Sequence, residues 1–116
     1  GNLDVEAEDL VAHQYKGKEA LKPVHDAIID FVESFGAELE IAPKKTSVSL
    51  RRSKQFALIQ PSTKTRIDLG LNLKGVAPVG RLETMSGMCT HKIRLTSAAE
   101  VDAEVKAWLT EAFERA

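Results

Sequence analysis

Nine of the eleven basic side chains between residues 44 and 94 of this 116-residue chain form one group: Lys44, Lys45, Arg51, Arg52, Lys54, Lys64, Arg66, Lys92 and Arg94. Cations held at strand and turn spacings can neutralise several phosphates together, giving an affinity that falls steeply with salt. Lys45, Arg51, Arg52, Lys64, Arg66, Arg81, Lys92 and Arg94 are therefore the candidate contacts for nucleic acid or another polyanion. The same charges also suit a solvated strand face, where Lys discourages edge-to-edge pairing. Stacking aromatics, the usual partners of single-stranded bases, are scarce at 5%, and Phe56 and Trp108 are assigned to the core.

Other chemistry is thin. Cys89 and His91 supply two metal ligands where a tetrahedral site needs four, and no other Cys or His pair has a matching spacing, so no metal site is expected. As a thiolate and its base the two would share a strand face, yet no third group is evident to orient the imidazole. Cys89 instead reads as a small buried residue and Asp68 as an ion-pair partner. Gly70, Gly75, Gly80 and Gly87 fit neither G-x-G-x-x-G nor G-K-[ST]. No catalytic residue and no cofactor is predicted, and a non-catalytic role is favoured.

The basic residues sit on a strand-like framework. Ile67, Leu69, Leu71 and Leu73 alternate with Arg66, Asp68, Gly70 and Asn72, as in an antiparallel strand covered on one face. Val48 and Leu50 oppose Ser47, Ser49 and Arg51, and between Gln55 and Gln60 the pattern puts Phe56 and Leu58 on one side and Gln55, Ala57 and Ile59 on the other. Turns at Arg52-Ser53-Lys54 and Pro61-Ser62-Thr63-Lys64 make the three strands a meander. Leu39 and Ile41 suggest a short strand before Pro43, and Thr90 to Leu95 a further one after a long connection, Lys74 to Cys89, with no sustained period.

Helices flank this framework. Leu3 to His13 reads as a short surface helix or arm. Leu21, Val24, Ile28, Phe31, Val32 and Phe35 form one stripe, with Pro23 in the first turn and Gly36 as a left-handed stop. Ser97 and Glu100 have capping-box spacing ahead of the stripe Val101, Val105, Trp108, Leu109, Ala112 and Phe113, in which Trp108 is read as a core anchor.

Net charge is −1, but its distribution is uneven. Residues 1–40 carry 3 basic and 10 acidic groups, residues 41–96 carry 11 and 2, and residues 97–116 carry 2 and 5. Such segregation steers partners without determining fold. The length suits one domain, residues 15–116, preceded by an arm at 1–14. With no apolar run near the roughly 18 residues that span a bilayer, no membrane partner is expected. A single cysteine and the lack of a leader point to the cytoplasm. A start at Gly1 without methionine suits either a trimmed tag or a domain cut from something longer.

The segments K-T-x-V-x-L-R-R, F-A-x-I-Q-P, T-K-T-R-I-D-L-G-L, T-H-K-I-R-L-T-S and E-V-D-A-E-V-x-x-W-L-x-x-A-F resemble an uncharacterised bacterial family, domain of unknown function 5655, from about Tyr15 onward. The resemblance implies a single α+β module, often found downstream of another small domain. It transfers no reaction and no residue roles.

The expected fold is α+β, an antiparallel meander of four to five strands with two to three helices packed mainly on one face. The expected function is a non-catalytic module binding nucleic acid or another polyanion through the basic sheet face and the loop around Arg81. The alternatives are a protein-interaction or homodimerisation module, acidic helices of one copy meeting the basic face of another, and a small-molecule site between the C-terminal helix and the sheet.

Overall fold

A computed structural model describes residues 2–116, with side chains from Val5 onward. Three α-helices, α1 (Asn2–Gln14), α2 (Lys22–Val32) and α3 (Ala103–Arg115), accompany an antiparallel sheet. Its strands are β1 (Glu40–Pro43), β2 (Val48–Arg52), β3 (Lys54–Pro61), β4 (Ile67–Leu71), β5 (Glu83–Thr84) and β6 (His91–Leu95). The fold is α+β as expected, with six strands rather than four or five. The additional strand, β5, lies in the long connection and has two residues, too few to show any alternation. Spatial order is β1-β2-β3-β4-β6-β5, so the meander ends at β4 and the β5–β6 hairpin adds to it through β6.

Pairing fixes the faces. Ile41, Leu50, Ala57 and Leu71 align across the sheet, as do Val48, Ile59, Leu69 and Ile93, and most of these side chains are fully buried. Against this face pack Val24, Ile28 and Val32 of α2 and Val105, Leu109, Ala112 and Phe113 of α3, the two stripes that the helical spacing specifies. Trp108 is half-buried beside the core rather than anchoring it, since Val105 and Leu109 take the innermost line.

One strand departs from the expected alternation. Leu50 pairs with Ala57 but Arg51 pairs with Gln55, which leaves Phe56 as the extra residue of a bulge. The bulge lets Phe56 turn inward beside Ala57 and Ile59, while Leu58 faces the other side with Gln55. Phe56 then meets Phe113 edge-on at 5.4 Å between ring centroids, and Phe35 stacks on Phe113 at 4.4 Å.

The helix ends carry local instructions. Pro23 sits in the first turn of α2, and Gly36 stops the chain after a 3-10 turn at Glu33–Phe35 with φ 90°. Ser97 and Glu100 make their reciprocal bonds, yet these cap only the 3-10 turn Ala98–Glu100. Val101 leaves helical geometry, and Asp102 becomes a second N-cap, accepting from the Val105 N–H at 3.1 Å, so α3 begins at Ala103.

Candidate polyanion interface

The face opposite the helices carries the expected charges. Ser49, Leu58, Gly70, Lys92 and Glu83 form one cross-strand row, and Gln60, Asp68 and Arg94 another. Arg51 belongs to this face opposite Glu40 and Gln55. Arg66 reaches it from the β3–β4 turn, donating to Asp68 at 3.0 Å. Ala57, which the alternation groups with Gln55, points into the core because of the bulge. Arg52 lies on the core side, its guanidinium 4.7 Å from the Phe113 ring centroid.

Each of the six arginines has a carboxylate partner. Arg51 lies 3.8 Å from Glu40, Arg52 3.3 Å from Glu38, Arg94 3.0 Å from Glu83 and Arg115 3.3 Å from Glu111. Arg81 holds Asp102 and Glu104, each at 2.8 Å, and donates to the Glu100 carbonyl, fastening the long connection to the start of α3. Glu104 and Asp102 raise the Arg81 pKa, and Arg81 in turn lowers that of Asp102. Burial works to raise the Asp68 pKa, but Ser62, Arg66 and Lys92 outweigh it and hold the group below the usual carboxylate range. Asp68 and Glu83 are the two acidic residues of the basic segment, and both are engaged by arginines.

The lysines differ. Among the described residues only Lys22 has a carboxylate within ion-pair distance, Asp26 at 2.9 Å. Several of the others collect at one end of the sheet, where the β1–β2 turn carries Lys44 and Lys45 and the β3–β4 turn carries Lys64. The chain between α1 and α2 is drawn to the same end by two anchors. Gln14 Nε2 donates to the carbonyls of Lys44 and Ser47 at 2.8 and 2.9 Å, and Lys18 Nζ donates to the Pro61 carbonyl at 2.6 Å. A cleft of about 390 Å³ opens there, lined by His13, Lys16, Lys18 and Lys45 among others. Lys16 and Lys18 had no place in the sequence-based site, because their approach to Lys45 depends on how α1 docks.

Cys89 and His91 have structural surroundings. A Cβ added to Gly70 would lie 2.8 Å from Cys89 Sγ, so the thiol rests directly on the glycine. Burial pushes that thiol up to about 11, leaving it protonated at neutral pH. His91 Nε2 is 2.8 Å from the Val76 carbonyl, which makes it the N–H donor and leaves Nδ1 to accept from the Thr90 hydroxyl at 2.7 Å. The ring latches the start of the long connection to β6.

Two further clefts flank the sheet. One, of about 370 Å³, lies between the end of α3 and the sheet, with Lys54, Lys74 and Arg115 on its walls. The other, of about 340 Å³, is an apolar groove bordered by Val11, Ile29, Ile41 and His25. Among the described residues, no three His, Cys, Asp or Glu side chains converge as a metal ion would require, and no helix is long and apolar enough to cross a membrane.

Residues 11–116 match the family described as Domain of unknown function (DUF5655), so this chain belongs to that family. No curated protein and no solved structure matches it.

Proposed function

We propose that this member of the DUF5655 family is a non-catalytic module that binds nucleic acid or another polyanion, with the turn end of the sheet making first contact. One observation carries the reading: the arginines are internally compensated, whereas Lys16, Lys18, Lys44, Lys45 and Lys64 share one end and have no carboxylate within ion-pair distance among the described residues. Uncompensated ammonium groups on short turns present their full field to an approaching phosphate chain. On the strand face, Lys92 extends that field, while Arg51, Arg66, Arg81 and Arg94 contribute less because each must leave a carboxylate to meet a phosphate.

Fluorescence anisotropy of labelled single- and double-stranded oligonucleotides, titrated at low and near-physiological salt, tests the proposal. Binding should weaken with salt, and Lys45→Ala or Lys64→Ala should each reduce the salt slope by about 1. Arg51→Ala should change it less. Absence of binding at low salt, where electrostatic attraction is strongest, would overturn the assignment.

A further inference from the structure

Resting on that reading, we infer that the cleft at the turn end is a pocket for a terminal phosphate monoester, so that the module engages a nucleic-acid strand by its phosphorylated end. The shape favours an end over a backbone. Internal phosphates track along an extended groove. This site is instead a half-open cleft of about 390 Å³ bordered by the end of α1, the α1–α2 connection, the β1–β2 turn and the end of β3. That volume lies in the range of small-ligand pockets.

The charge agrees with the shape. A phosphate monoester carries about 1.5 to 2 negative charges near neutral pH and three free oxygens, against a single charge on a diester. Lys16, Lys18 and Lys45 supply three ammonium groups, and His13 an imidazole ring that can offer an N–H. Lys18 uses one N–H on the Pro61 carbonyl and retains two. None of the nine lining residues is acidic.

The walls are held before any ligand arrives. Gln14, only 6% exposed, fixes the turn bearing Lys45 through its two carbonyl contacts, and Lys18 fixes the end of β3. Preorganisation of this kind reduces the ordering that binding would otherwise require. The cleft at the opposite end makes a poorer phosphate site despite its three cations. Arg115 is paired there with Glu111, whereas Lys16, Lys18 and Lys45 have no carboxylate within ion-pair distance among the described residues.

The test compares one single-stranded oligonucleotide, labelled at its 3′ end, with either a 5′-phosphate or a 5′-hydroxyl, at near-physiological salt. The phosphorylated strand should bind about tenfold more tightly, as expected for an added charge-assisted contact set. Inorganic phosphate should compete for that advantage, and Lys16→Ala with Lys45→Ala should remove it while weak, salt-sensitive binding persists. A circular dichroism melt of the double variant checks that it folds as the parent does. Equal affinity for the two ends would overturn the terminal-phosphate inference and leave the polyanion module standing, whereas no binding of either strand at low salt would overturn both.

Discussion

The strand face bearing Arg51, Arg66 and Arg94 and the turn end bearing Lys16, Lys45 and Lys64 are both basic, but only the first is tied to carboxylates. The difference follows side-chain chemistry. A planar guanidinium offers several fixed donors to a carboxylate and is readily drawn into the architecture, as Arg81 is between Asp102 and Glu104. A lysine ammonium is a compact, strongly hydrated charge that remains in water without loss. Counting positive residues along the sequence therefore overstates the field over the arginine face and understates the distinctness of the lysine end. If this division holds, substitutions around the arginine framework should be felt in stability, and those at the lysine end in binding alone.

The largest effect should come from Phe56→Ala, which empties the space beneath Arg52 and Phe113 and should cost about 3 to 5 kcal/mol in denaturant unfolding. A loss under 1 kcal/mol would mean that the bulge does not deliver Phe56 to the core. Next, Gly70→Ala should cost about 1 to 3 kcal/mol by driving a methyl group into Cys89. Adding Cys89→Ala should recover part of that loss, and failure to do so would separate the two residues. Arg81→Ala should lower Tm by no more than a few degrees, because its partners are half-exposed, while speeding amide exchange in the connection it fastens. Smallest in stability, Lys45→Ala combined with Lys64→Ala should stay within about 0.5 kcal/mol of the parent. A large destabilisation there would erase the contrast between the two regions.

Legibility in the sequence followed the range of the signal. Ile67, Leu69 and Leu71 announce a one-sided strand within five residues, and all three are fully buried. The alternation that placed Phe56 with Leu58 fails because a bulge changes parity without leaving a compositional mark. Ser97 and Glu100 announce a cap correctly, but the second cap at Asp102 moves the helix start by several residues. The fate of the charges was least legible. Arg81 meets Asp102 and Glu104 across more than twenty positions, and Lys16 and Lys18 reach the neighbourhood of Lys45 only through the anchors at Gln14 and Lys18. These depend on tertiary placement, which no local period records.

The spatial order β4-β6-β5 bears on the route by which the chain reaches its native state. The first four strands are joined by short turns and the last two form their own hairpin, so each group can pair over microseconds from local contacts. Joining them requires β4 to find β6 across the connection that begins at Asn72, at a loop-closure cost that grows only slowly with length. That seam holds Gly70 against Cys89 and Leu71 opposite His91. Where registration of that seam limits the rate of folding, defects placed there should slow folding more than they hasten unfolding.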